Sequence, residues 1–287
     1  MSLQKSEQLI TGSAQKPVLL DITYDPAAGK RPAIIYAHGF NGFKDWGNFD
    51  LIAAQFVAAG FTFIKFNFSH NGTTPEQPQD FTDLEAFAEN NYTKEFYDLG
   101  QVLDWTCSKE HALAACIDAA HIGLIGHSMG GGISILKTAA DQRIKALITW
   151  AAIAECKTPW THWPPEKIAD WQQEGVAYYL NGRTHQQMSM HYQLYEDFQQ
   201  HSEQLDILRA AHAIAIPWLI CHGTADTSVP VESAHALHRA CTHSSLLLVD
   251  SDHVFGRKHP WPDDTLPEVM QEVAKQNIIF FRSIFHS

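Results

Sequence analysis

The chain has 287 residues, 45% of them hydrophobic, with 20 basic and 32 acidic side chains and a net charge of −12. So acidic a chain is a poor partner for nucleic acid or an anionic membrane, and no apolar run reaches the roughly 18 residues of a membrane span. Residues 1–10 lack the apolar core of a signal peptide, so a cytoplasmic protein of one large or two small domains is expected.

In chain order, 7–11 and 17–24 read as two strands of a leading hairpin, followed by the turn Asp25-Pro26-Ala27-Ala28-Gly29. The apolar run 32–37 predicts a strand buried on both faces, ending at His38-Gly39-Phe40-Asn41-Gly42. Helical spacing over 48–59 stops at Gly60, and 61–66 is the next buried strand. Polar residues 73–91 read as a long surface loop, followed by a helix over 92–108. The strand 122–125 then runs into Gly126-His127-Ser128-Met129-Gly130, with a helix over 133–140. Strand 144–152 follows, and the next convincing strand is 216–222.

The stretch between them, 156–213, is too long for an ordinary connection of about 2–6 residues. It reads as an insertion after the sixth strand, dividing the chain into a core of 1–155 and 214–287 and an inserted segment of 156–213. Within it, two β-compatible runs flank Asn181-Gly182 and predict a tight hairpin, with helical patches around 166–173 and 195–211. Its aromatic residues, among them Trp160, Trp163 and Tyr179, suit either a small core of their own or the walls of a flat apolar site. After strand 216–222 come Gly223-Thr224-Ala225-Asp226-Thr227-Ser228-Val229-Pro230, a helix over 231–240, strand 245–249, and a loop carrying His253. A helix over 265–285 closes the fold.

Gly-x-Ser-x-Gly between a strand and a helix forces its serine into a strained backbone that only flanking glycines accommodate, and leaves the hydroxyl clear of the sheet. A serine hydroxyl is a weak nucleophile and needs a base. Imidazole suits that task near neutral pH, and a buried carboxylate fixes its tautomer and balances its charged form.

Gly126-His127-Ser128-Met129-Gly130-Gly131 resembles the nucleophile elbow of the α/β-hydrolase family, and the later signatures follow in that family's order. Within it, the chain is similar to small bacterial cinnamoyl- and feruloyl-esterase-like enzymes and to the dienelactone-hydrolase-like group. The resemblance implies an α/β fold with a mostly parallel, helix-flanked sheet and a cap. It implies the catalytic set Ser128, Asp226 and His253, with Glu155 the rival for the acid. It also implies an oxyanion hole made by the backbone N–H groups of Phe40 and Met129. The implied reaction is cleavage of carboxylic esters of small or aromatic acyl groups through an acyl-enzyme. A peptidase on the same fold and a non-catalytic ligand binder are the alternatives. Serine where dienelactone hydrolases carry cysteine argues against lactone chemistry. His38, His70, Trp160, Trp163, Tyr179 and Trp261 are candidates for substrate binding; His70 is equally a polar turn residue.

No cofactor is expected. Nor is a metal, since Cys107, Cys116, Cys156, Cys221 and Cys241 match no zinc spacing and the 17 histidines form no His-Glu-x-x-His pair. The expected partner is a small-molecule ester, with a homodimer left open.

Overall fold

The computed structural model of the protein describes residues 2–285. Among the described residues there are ten strands: β1 Gln4–Thr11, β2 Pro17–Tyr24, β3 Arg31–Ala37, β4 Thr62–Asn67, β5 Ile117–His127, β6 Ile144–Trp150, β7 Val176–Leu180, β8 Gln187–His191, β9 Trp218–Gly223 and β10 Ser244–Val249. Eight form one sheet in the order β1-β2-β4-β3-β5-β6-β9-β10, and β7 pairs only with β8. The pairs β1–β2 and β2–β4 are antiparallel; from β4 to β10 every neighbouring pair is parallel.

Strand periodicity explains the layers. Along β3, Ile34 and Tyr36 face one core while Ala33, Ile35 and Ala37 face the other. The first core is covered by α1 Phe49–Ala58, through Phe49, Ile52 and Phe56, and by the long closing helix Glu268–Phe285, through Met270, Val273 and Phe281. The second lies under α3 Tyr92–Cys107, α4 Met129–Ala140 and α8 Glu232–Ala240; α2 Leu84–Ala88 sits in the connection before α3. The closing helix is α9, and no helix among the described residues is long and apolar enough to cross a membrane.

The segment between β6 and β9 holds α5 Pro165–Glu174, the β7–β8 hairpin, α6 Gln193–Gln200 and α7 Ile207–Ala213. Trp160, Trp171, Met188, Met190 and Leu194 are buried together in it. Polar ties bind it to the start of α3: Asn91 Nδ2 donates to Gln193 Oε1 at 2.7 Å, and Gln193 Nε2 donates to the Asn90 carbonyl at 2.9 Å.

Several elements differ from expectation. The stretch 73–91 is not a surface loop: it carries α2, and Phe81, Ala86, Phe87 and Ala88 are buried. Asp83 caps that helix by accepting the Ala86 N–H at 2.9 Å. The hairpin is wider than an Asn-Gly turn makes it. Asn181 Oδ1 accepts the N–H groups of Arg183 and Thr184, and this side-chain turn displaces the two-residue form. The helical patch 195–211 is broken into α6 and α7 around Asp206, whose carboxylate caps α7 at the Arg209 N–H. Helix α4 begins at Met129 rather than 133, so Gly130, Gly131 and Gly132 lie inside it.

Candidate active site

The turn from β5 into α4 holds Ser128 at φ 56° and ψ −120°, a strained conformation for a residue with a side chain. The surrounding packing imposes it. The Ser128 N–H donates to the Trp150 carbonyl at 2.9 Å, and its own carbonyl accepts from Gly132 N at 3.1 Å. A Cβ on Gly126 would lie 2.3 Å from Ser134 Oγ, and one on Gly130 only 2.1 Å from the His38 carbonyl oxygen. The second clash is with backbone, so glycine at 130 is what lets the end of β3 lie against α4.

That close approach brings the turn after β3 to Ser128. A Cβ on Gly39 would stand 2.8 Å from Ser128 Cβ. The Gly39 carbonyl is fixed twice, by the Gly42 N–H at 2.9 Å and by His38 Nδ1 at 2.9 Å. His38 Nε2 accepts the Phe68 N–H at 3.3 Å, so the proton must sit on Nδ1. Burial pushes the His38 pKa down to about 4, against the opposing pull of the Gly39 carbonyl, and keeps the ring neutral. In a trans peptide the C=O and the following N–H point in opposite directions. Holding the Gly39 carbonyl therefore also fixes the Phe40 N–H. Among the described residues, neither the Phe40 nor the Met129 N–H is used in a hydrogen bond.

The loop after β9 brings in Asp226 and the loop after β10 brings in His253. Asp226 Oδ1 accepts the N–H groups of Ser228 and Val229 at 2.8 and 2.9 Å, and Oδ2 lies 2.7 Å from His253 Nδ1. His222 Nε2 is 2.8 Å from the Val229 carbonyl and 3.3 Å from the same Oδ2. Burial alone would raise the Asp226 pKa. The hydrogen bonds from His222 and His253 outweigh it and hold the carboxyl well below the usual range. His127 Nε2 meets the His253 carbonyl at 3.0 Å; burial, reinforced by the His253 charge, pushes its pKa well below the ordinary value. His127 is thus a neutral brace for the His253 loop.

Ser128 and His253 open onto one cavity of about 190 Å³, walled by Tyr36, Phe40, Asn41, Phe43, Trp46 and Val254. Of the residues expected at the substrate, His38 borders this cavity with both ring nitrogens engaged by backbone. His70 is buried against Ser69 Oγ at 2.7 Å. Trp160 packs among Tyr92, Trp171, Tyr195 and Phe198, where the segment between β6 and β9 meets α3. Trp163 lies against Trp171 and under Lys167. Trp261 borders a separate polar cavity with Lys5, Asp45 and Asp50. Tyr179 stands apart from these: its hydroxyl donates to Asn41 Oδ1 and its ring is 5.7 Å from that of Phe40. Glu155, the rival acid, is exposed and pairs with Lys157 at 2.7 Å. A larger cleft of about 570 Å³ begins at Ile153 and Val229, beside Ser128 and Asp226, and runs out past Pro159, Leu208 and Ala236.

Sequence reasoning missed Tyr36, Asn41, Phe43 and Trp46 as cavity walls. The signal available was their closeness in sequence to His38-Gly39. It also missed a buried ion network. Lys44 Nζ is 2.8 Å from Asp21 Oδ2 and 2.7 Å from Asp45, and Lys65 contacts Asp45 and Asp50. The carboxylates of Asp21, Asp45 and Asp50 lie within 4.8 Å of one another. Three lysines, counting Lys5 on Asp21 at 2.9 Å, already neutralise them.

A mostly parallel sheet whose central strand delivers a serine at positive φ to a helix start, with an aspartate and a histidine at later strand ends, is the architecture of the α/β-hydrolases. The chain belongs to the prolyl oligopeptidase family, whose model matches residues 48–260. It is similar to the "Uncharacterized 31.7 kDa protein in traX-finO intergenic region" of Escherichia coli, 30% identical over 126 residues, 44% of this chain and 39% of that protein. It is also similar to the quorum-quenching protein AidA of Acinetobacter baumannii, 27% identical over 119 residues, 41% of this chain and 34% of that one. Both matches span less than half of the relative's length. Among solved structures, Est1E from Butyrivibrio proteoclasticus with ferulic acid bound superposes with a TM-score of 0.71 at 18% identity, covering 96% of this chain and 99% of that one.

Proposed function

We propose that the protein is a serine esterase that cleaves carboxylic esters of small or aromatic acyl groups. The observation that carries this reading is that Ser128, Phe40 and His253 line one cavity, with His253 paired to Asp226 at 2.7 Å and the N–H groups of Phe40 and Met129, the residue after Ser128, unspent. In this scheme His253 Nε2 takes the Ser128 proton as Oγ attacks the ester carbonyl. The Phe40 and Met129 N–H groups hold the oxyanion. Collapse of the tetrahedral adduct breaks the C–O bond, and the His253 imidazolium gives its proton to the departing alcohol. Water, deprotonated by the same ring, then attacks the acyl-enzyme and releases the acid. Asp226 balances the imidazolium throughout.

The small cavity suits one side of the ester and the 570 Å³ cleft the other. Residues 156–213 act as a cap over a core of 1–155 and 214–287. The ferulic acid in the Est1E structure supports a hydroxycinnamoyl group among the substrates to try first.

A peptidase is the second reading. It is favoured by the family's name and by Glu155 and Glu232 on the larger cleft, where they suit a free amine. A series of p-nitrophenyl and methyl hydroxycinnamate esters, run beside aminoacyl p-nitroanilides, separates the two. Ester turnover with the anilides untouched is the expected result. Preferred anilide cleavage sinks the esterase reading.

A further inference from the structure

We propose that Tyr179, on the inserted hairpin, is a positioning residue for the oxyanion donor Phe40, so that the inserted segment helps to assemble the catalytic site as well as cover it. This rests on the reading of Phe40 as a donor.

Gly39 to Gly42 form a β-turn closed by the Gly42 N–H on the Gly39 carbonyl at 2.9 Å. Of its two central residues Asn41 alone has positive φ, at 58°, the pattern of a type II turn. Asparagine tolerates that conformation but does not enforce it, as its backbone has other accessible states. The Asn41 side chain is where the turn is tied down. The Tyr179 hydroxyl donates to Asn41 Oδ1, and among the described residues no other hydrogen bond reaches that amide. Burial keeps the Tyr179 phenol protonated, and so a donor, across the working pH range.

The tie is reinforced by rings. Phe40 lies 5.4 Å from Phe87 and 5.7 Å from Tyr179, and Phe87 lies 6.3 Å from Tyr179. The hairpin bearing Tyr179 is itself held to the core: Gln186 Nε2 donates to the Phe81 carbonyl at 2.9 Å, and His191 Nδ1 lies 2.5 Å from Glu89. Tyr179 thus links a braced element to the residue directly after the oxyanion donor. His38 fixes one end of the turn from below, and Tyr179 fixes the other from above.

The test is Tyr179→Phe, which keeps the ring and removes the tie. Asn41→Gly serves beside it, since glycine keeps positive φ freely and loses the acceptor. Each is assayed on p-nitrophenyl acetate and on its thionoester, whose sulfur accepts oxyanion-hole hydrogen bonds poorly. Tyr178→Phe is the control, because that side chain is half-exposed next door. We expect kcat to fall roughly tenfold in either variant, less than the ~10²–10³ for outright loss of a donor, with KM little changed. The oxo-to-thiono ratio of kcat/KM should shrink by the same factor, and the double variant should be no worse than Asn41→Gly. A purely structural role leaves that ratio alone. Unchanged kcat and unchanged ratio in a folded variant, while a fluorophosphonate still labels Ser128 in the wild type, overturns the proposal and leaves the esterase reading standing. Failure of the wild type to be labelled removes that reading, and this proposal with it.

Discussion

Replacing Gly39 by alanine tests how tightly the turn after β3 is held against Ser128. A Cβ there would lie 2.8 Å from Ser128 Cβ, 3.0 Å from the His127 carbonyl oxygen and 3.4 Å from Ser128 Oγ. Favourable carbon–carbon contact begins near about 3.5 Å, so the two backbones must part by roughly 0.7 Å. Neither can yield cheaply. The Gly39 carbonyl is clamped by His38 and Gly42, and Ser128 is clamped by Trp150 and Gly132. Overpacking of this kind costs about 1–3 kcal/mol, so Tm should drop by several degrees with the fold kept. The rate should suffer more, because misplacing reacting groups by about 1 Å costs on the order of 10²-fold. The assay is steady-state hydrolysis of p-nitrophenyl acetate beside thermal melting. A folded Gly39→Ala enzyme with wild-type kcat would refute the placement of the oxyanion turn.

Three further outcomes are expected. His38 must stay neutral in the fold, with its pKa lowered from 6.5 to about 4, so its contribution to stability is complete above pH 6.5 and is lost as the pH falls towards 4. That loss amounts to about 3 kcal/mol at most; His38→Asn should flatten this part of the pH–stability curve in urea titrations, and an unchanged slope would contradict the neutral state assigned to this ring. Asp21→Asn removes the carboxylate 2.8 Å from the buried Lys44 ammonium and should cost about 3–5 kcal/mol in denaturant unfolding; a loss below about 1 kcal/mol would mean the lysines find other partners. Trp171→Ala empties the apolar cluster between β6 and β9 and breaks a 2.8 Å bond to the Met190 carbonyl. Limited proteolysis should then cut within 156–213 while the rest of the chain resists, whereas uniform cleavage throughout would deny that segment an identity of its own.

Much of the site can be read in the sequence because close backbone contact leaves few residue choices. Gly126, Gly130 and Gly39 stand where any Cβ would strike a neighbour, and such glycines mark the elbow and the β3 turn before any coordinates are known. The strands read well because residues buried on both faces form continuous apolar runs. What escapes is interaction between distant elements. Lys65 looks like a lone charge in the strand Thr62–Asn67, yet its register partner on β2 is Asp21, and that pairing is set by sheet order. Residues 73–91 look like solvent loop because their polar residues outnumber Phe81 and Phe87, the two that anchor it beneath the turn after β3. Trp163 and Trp261 have the right chemistry for an aromatic wall, but neither borders the Ser128 cavity. Composition reports the supply of rings and not their direction. Tyr179 is distinguished from its neighbour Tyr178 only by strand alternation, which turns one ring inward and leaves the other half-exposed.

The central claim, that Ser128 is an activated nucleophile served by His253 and Asp226, is tested most directly by intact-mass measurement after incubation with a fluorophosphonate, for the wild type and for Ser128→Ala. The account predicts a single adduct on the wild type, carried by the peptide containing Ser128, and none on the variant. Equal labelling of both proteins, or no labelling of the wild type, would contradict it.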